Sequence, residues 1–155
     1  MAAAGPFVIS QPAKLNLFNA TDLLGANAAN FRVALLTSAY VPAPTTDEVY
    51  ATMSANELAT GFGYTNGGGA LTGVTTTQTA GVVKFTANAF VWTAAGGSIP
   101  AWRYAMIYYL GTLNGKINPI VCYALGDATP ADVPATTAGN TLTITPAAAG
   151  ILSAT

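Results

Sequence analysis

The sequence holds six carboxylates, the side chains on which acid–base or cation chemistry could be built. Asp47 and Glu48 are adjacent, and Asp127 precedes Asp132 by five residues. A carboxylate pair can hydrolyse a glycosidic bond, or can bind a hard cation together with backbone oxygens. Both pairs fall in predicted loops beside prolines, where solvated acids are common. We therefore predict no catalytic residue, no metal ligand and no cofactor.

Histidine is absent and Cys122 is the only cysteine, which removes most other arrangements. A site of histidines and cysteines for a metal is excluded within one chain, as are Ser-His-Asp and Cys-His nucleophiles. Cys122 lies in an apolar run, and we interpret it as a small buried core residue. The glycines of residues 61–69 lack the third glycine of a dinucleotide-binding loop, so they predict a hairpin or bulge. Gly63, Gly67 and Gly68 are expected to adopt positive φ.

Aromatic residues could form a ligand platform, and two of them are candidates for contact with a partner. Strand alternation over residues 102–109 places Trp102 and Tyr108 on one face, and Ile107 and Tyr109 on the other. Both faces are apolar, so we expect one in the core and the other partly against a neighbouring subunit. Trp102 and Tyr109 are therefore interface candidates. The alternative is a carbohydrate platform that uses Trp92 and Trp102.

Charge is the most informative property of the composition. Only 7% of the residues are charged and the formal net charge is −1, whereas an ordinary domain has about 25% charged residues. Such a surface has little electrostatic protection against association, which indicates a subunit partly covered by other subunits. The alternative is a threonine-rich monomer that is secreted or tolerates expression. The five basic residues are dispersed, so direct nucleic-acid binding is not expected. The chain has no apolar run long enough for a membrane span.

The elements that must position these residues are short strands separated by Gly, Asn and Pro. Residues 31–37 and 102–110 give the clearest strand signals, and the turn Asn114-Gly115 should bring residues 119–125 back against residues 102–110. Residues 48–60 predict one or two helical turns, with Thr52 or Ser54 as a cap. The sequence thus predicts an all-β fold, an antiparallel β-sandwich or barrel-like domain spanning residues 31–155.

Residues 1–30 differ in composition and predict an extended N-terminal arm. They are rich in Ala and Asn and poor in β-branched residues. An arm of this kind can become ordered against a neighbouring subunit. The apolar residues expected to anchor it there are Phe7, Ile9, Leu15, Leu17 and Phe18.

Several segments together resemble small structural proteins of tailed bacteriophages. The resemblance covers most of residues 31–155 and rests on strand and turn patterns: residues 31–42, 54–58, 61–68, 83–85, 91–93, 103–108, 142–145 and 150–152. It implies a virion component and carries no enzymatic residue.

The expected function is therefore structural, and three alternatives remain open. The first is a decoration or cement protein on the outer capsid surface of the virion, which binds the major capsid protein and copies of itself as a homo-oligomer. The second is a tail, collar or fibre subunit of the same virion. The third is a carbohydrate-binding β-sandwich. Enzymatic activity, a nucleic-acid partner and a membrane partner are not expected.

Overall fold

A computed structural model describes residues 7–10, 30–80, 82–129 and 131–154 of the chain. The regular elements in this part are strands and two 3-10 helical turns, Tyr50–Thr52 and Ser54–Asn56. The strands are Val8–Ile9 (β1), Phe31–Leu36 (β2), Gly69–Ala70 (β3), Thr75–Thr79 (β4), Val82–Thr86 (β5), Phe90–Thr93 (β6), Tyr104–Tyr109 (β7), Thr112–Leu113 (β8), Lys116–Ile117 (β9), Ile120–Leu125 (β10), Thr141–Ile144 (β11) and Leu152–Ala154 (β12).

The strands form a sandwich-like, antiparallel, all-β fold, and its sheets do not close into a barrel. A five-stranded sheet has the order β1-β10-β7-β2-β3. Opposite it lie a two-stranded sheet, β11-β6, and a three-stranded sheet, β12-β5-β4. The main core fills the space between these layers and includes Phe31, Phe85, Trp92, Ile107 and Leu142. The predicted fold class is confirmed.

The two strongest strand predictions are confirmed as β2 and β7, which are neighbours at the centre of the large sheet. β2 is buried over almost its whole length, because the chain covers both faces of the large sheet. β7 pairs with β10 in antiparallel register, as predicted from the intervening turn. That turn closes the small hairpin of β8 and β9, in which Asn114 and Gly115 both have positive φ. Such values at both central positions are typical of a type I′ turn.

Over its central strands, the second face of the large sheet is covered by the chain itself, which the sequence did not predict. Tyr40 and Met53, from the segment between β2 and β3, pack with Met106 and Ile120 in a second apolar cluster. This cover buries Met106 and Tyr108 on the second face of β7 and leaves Tyr104 partly exposed, so contact of this face with a partner stays a prediction for Tyr104 alone. The two helical turns in this segment are confirmed, but Thr52 and Ser54 are not caps, because no cap side-chain hydrogen bond is present there.

Gly63, Gly67 and Gly68 have positive φ, as predicted. Gly68 shows why at least one of them must be glycine. A Cβ atom at this position would lie 2.0 Å from the carbonyl oxygen of Val33. The turn is therefore pressed directly against the backbone of β2.

Candidate interaction surfaces

Every charged side chain in the described part of the structure has a bonding partner within the chain. Two ion pairs account for four of these side chains. The Nε atom of Arg103 lies 2.7 Å from Oδ1 of Asp132, and Nζ of Lys116 lies 2.9 Å from Oε2 of Glu48. The remaining two charged residues of the sequence, Lys14 and Asp22, lie outside the described residues.

The other five charged side chains make hydrogen bonds. Arg32 and Lys84 donate to the carbonyl oxygens of residues 68 and 148. Asp47 accepts from the hydroxyl of Tyr40 and from a backbone N–H, and Asp127 accepts from Thr129. Glu57 accepts three hydrogen bonds, from two tyrosine hydroxyls and one backbone N–H. Asp47 and Glu48 therefore face different partners, and no group of three or more potential metal ligands occurs among the described residues.

Glu57 forms a buried polar network that holds the glycine-rich turn. Its side chain is only 8% exposed, and its carboxylate accepts hydrogen bonds from the hydroxyls of Tyr50 and Tyr64. A third bond comes from the backbone N–H of Gly67, at 2.9 Å. Burial, followed by the bond to Glu57, raises the pKa of Tyr50 and Tyr64 well above the ordinary value. Both phenols therefore remain protonated donors.

Further bonds tie the same turn to the large sheet. The hydroxyl of Tyr108 donates to the carbonyl of Gly67 at 2.7 Å, and the ring of Tyr108 stacks on that of Tyr50 at 4.5 Å. The hydroxyl of Tyr64 also accepts the backbone N–H of Leu35 at 2.9 Å. Together these bonds hold the glycine-rich turn against the large sheet.

A partly exposed aromatic surface lies on the large sheet, on the side of the second cluster. We call Val8, Tyr104, Tyr123 and Leu125 the outer aromatic face. Val8 is opposite Tyr123 in the β1–β10 register, and Tyr104 is opposite Leu125 in β7–β10. The rings of Tyr104 and Tyr123 are 6.4 Å apart in an edge-on contact. These rings present apolar area with polar tips to the exterior.

Large apolar side chains are also exposed singly in other places. Val41 is 79% and Ile117 is 69% exposed, in the loop after β2 and in the β8–β9 hairpin. Phe62 is about half exposed at the tip of a two-residue turn, and its φ of 54° lies in the left-handed region. A bulky residue in that region is strained.

A groove of about 380 Å³ runs along the outer edge of β11. It is lined by β11 with Thr145 and, from other segments, by Gly126, Asp127, Val133, Pro134 and Thr136. Trp102 also lines the groove and is buried, with 2% of its surface exposed. The indole Nε1 of Trp102 is buried without a hydrogen-bond partner among the described residues.

The predicted interface residues of the domain lie in the core. Trp102 contacts Gly126 and Val133, and Tyr109 packs edge-on against Phe31 at 5.6 Å. Tyr109 is 7% exposed. The structure therefore gives Trp102 and Tyr109 a core position in place of the expected interface position. Trp92 also belongs to the core, so a carbohydrate platform made of Trp92 and Trp102 is wrong.

The predicted arm anchors divide into two groups. Phe7 and Ile9 are partly buried and pack against the main core, and Ile9 pairs with Cys122 at the edge of the large sheet. These two residues contact the chain's own domain. Leu15, Leu17 and Phe18 lie outside the described residues, and the proposed arm of residues 1–30 is described only at residues 7–10 and 30.

Sequence reasoning missed Tyr123 and Phe62 as surface residues. Tyr123 lies in a strand with an apolar pattern, and its partial exposure depends on which distant segments cover that face of the sheet. Phe62 had a signal, because a bulky residue between Gly61 and Gly63 suggests a strained exposed turn. Cys122 is fully buried as predicted, and burial raises the pKa of its thiol.

Comparisons with known proteins give no relative: no family model, no curated protein and no solved structure matches the chain. In the part of the chain that the structure describes, no helix is long and apolar enough to cross a membrane.

Proposed function

We propose that this chain is a non-enzymatic structural protein of a virion and decorates the outer surface of a bacteriophage capsid. It would bind the lattice of the major capsid protein, together with copies of itself. The proposal rests on one observation, the combination of internally bonded charges and exposed apolar side chains. A domain that works alone in water normally has a surface with about 25–35% charged residues of both signs, whereas a chain with 7% charged residues suits contact with other subunits.

Most of residues 31–155 resemble small structural proteins of tailed bacteriophages, and this resemblance supports a bacteriophage virion as the particle that the chain joins.

The outer aromatic face is the surface that we assign to the shell. Tyrosine is enriched at protein interfaces, because its ring buries a large area while its hydroxyl keeps a polar contact. Tyr104 and Tyr123 are partly exposed and held by edge-on contacts with neighbouring rings, so they lose little conformational freedom on binding.

The test is a symmetry-resolved cryo-EM reconstruction of the particle together with a binding assay. Hundreds of copies spread over the shell are the expected result. Tyr123→Asp should abolish binding to stripped heads, whereas the matched control Val91→Asp should bind normally, because Val91 is exposed on the opposite layer. Copies confined to one vertex or to the tail would instead establish a tail, collar or fibre subunit. Absence from the purified particle would refute a virion role.

The outer aromatic face also favours a second candidate, a carbohydrate-binding module. Tyrosine rings can stack on sugars, and Asp47 lies close enough to Tyr123 to raise the pKa of its phenol, after the larger effect of burial. This candidate predicts binding to host surface polysaccharide that is lost in Tyr123→Ala. Failure of the wild-type chain to bind any such polysaccharide would exclude it.

A further inference from the structure

The groove beside β11 is framed by two chain segments that run side by side without pairing. Residues 133–136 make bridges to Ile99 and Trp102, and β11 pairs with β6. Residues 137–140 form the turn that joins the two segments. Among the described residues, neither segment pairs with the other, so the edge of β11 that faces away from β6 is open to the groove.

The hydrogen-bond pattern shows which backbone groups face the groove. The N–H of Ala94 donates to the carbonyl of Asn140, and in an antiparallel pair hydrogen-bonded positions alternate. Leu142 and Ile144 therefore direct their backbone groups toward β6. Thr141 and Thr143 direct theirs to the opposite edge. An edge of this kind is a template for a further strand.

Trp102 lines the groove but offers no polar group to a segment that would lie there. Its indole Nε1 is buried without a hydrogen-bond partner among the described residues. Because Trp102 is only 2% exposed, a segment in the groove cannot reach this atom. The open backbone edge of β11 and the carboxylate of Asp127 are therefore the groups available for recognition.

The charge of the groove restricts which peptide sequences can bind in it. Asp127 is the one charged residue that lines it, and residues 133–154 contain no charged residue at all. Hydrogen bonds from the backbone and hydroxyl of Thr129 lower the pKa of Asp127, so its carboxylate is ionised at neutral pH. A complementary segment is uncharged along β11 and cationic near Asp127.

We propose that β11 binds an extended peptide segment of a partner protein by strand addition, with the segment lying between β11 and residues 133–136 and a lysine or arginine beside Asp127. A single strand fits this description better than a second copy of β11. The edge of β11 in a second copy is flanked by its own residues 133–136, which would collide with the first copy's groove wall. This inference is independent of the particle that the chain joins.

The experiment is a selection of random 12-residue peptides, displayed on yeast, against the full chain. We expect enriched peptides that alternate β-branched and small residues and carry a lysine or arginine at one end. Their affinity should fall at least tenfold for Thr143→Pro, which removes an outward N–H, and should be unchanged for the matched control Thr143→Val, which keeps it. Asp127→Asn should weaken the cationic peptides about threefold to tenfold.

A thermal unfolding measurement guards against a folding failure of Thr143→Pro. This variant should retain a cooperative transition, because proline is tolerated where the N–H of an edge strand faces outward. Recovery of no enriched peptide with the wild-type chain would overturn the proposal. So would peptides that bind wild type and a folded Thr143→Pro equally. If the wild-type chain enriches no peptide but attaches normally to particles, this inference is overturned and the proposed function stands.

Discussion

Removal of the Glu57 carboxylate is the perturbation whose effect the structure defines best. Glu57→Ala deletes an acceptor that serves three donors, the hydroxyls of Tyr50 and Tyr64 and the N–H of Gly67. Tyr64 is almost fully buried, and Gly67 is half-buried. A buried donor left without a partner costs about 1–3 kcal/mol. Two such donors give an expected loss of about 4 kcal/mol, with Tyr50 contributing less because it is partly exposed.

This loss would be a large part of the stability of the domain, since folded proteins are stable by only about 5–15 kcal/mol. For a chain of this size, 1 kcal/mol lowers Tm by about 2–4 °C, so Glu57→Ala should lower Tm by about 8–16 °C. Chemical denaturation and thermal unfolding followed by circular dichroism would measure both quantities.

Glu57→Gln is the matched control for the same position. It keeps the shape of the side chain and one acceptor oxygen, so a loss of about 1–2 kcal/mol is expected. Tyr64→Phe combined with Glu57→Gln would give the coupling energy of the pair, which should be at least about 0.5 kcal/mol for residues in contact. A free energy of unfolding for Glu57→Ala within 1 kcal/mol of wild type would refute the reasoning.

Three further predictions concern single residues. Because Tyr64 keeps its proton when folded, stability should fall above about pH 10 by about 1.4 kcal/mol per pH unit from this residue, and denaturation of Tyr64→Phe should show a shallower fall. Gly68→Ala should prevent folding or cost several kcal/mol, whereas Gly115→Ala, also at positive φ but in open space, should cost about 1–2 kcal/mol; equal unfolding energies would contradict this. Cys122 should react with a thiol reagent only on unfolding, and fast labelling of the folded chain would show the contrary.

The sequence predicted the parts of the fold that depend on local pattern. β2 and β7 are continuous apolar runs, and such runs are typical of strands covered on both faces. Asn114 and Gly115 adopt the positive φ values that their residue types favour.

The parts that the sequence did not predict depend on contacts between distant segments. β1 has two residues and exists because β10 offers it an edge, so no local signal marks it. The placement of Tyr40 and Met53 over the second face of the large sheet is also a long-range contact. The members of the Glu57 network are regularly spaced in the sequence, because Tyr50 and Tyr64 each lie seven residues from Glu57. That spacing is not a known pattern, and only the fold brings the three side chains together.

The structure shows how the few charged residues that it describes are bonded. Few charges could mean a surface with scattered free ions, but the described ions are instead bonded to the chain's own groups. A partner that covers such a surface meets few ions, so the desolvation that opposes association is limited to a small number of paired and still partly exposed charges. The open edge of β11 and the outer aromatic face lie on different sheets. One subunit could therefore engage two neighbours at once, which is the property required of a protein that links the units of a larger assembly.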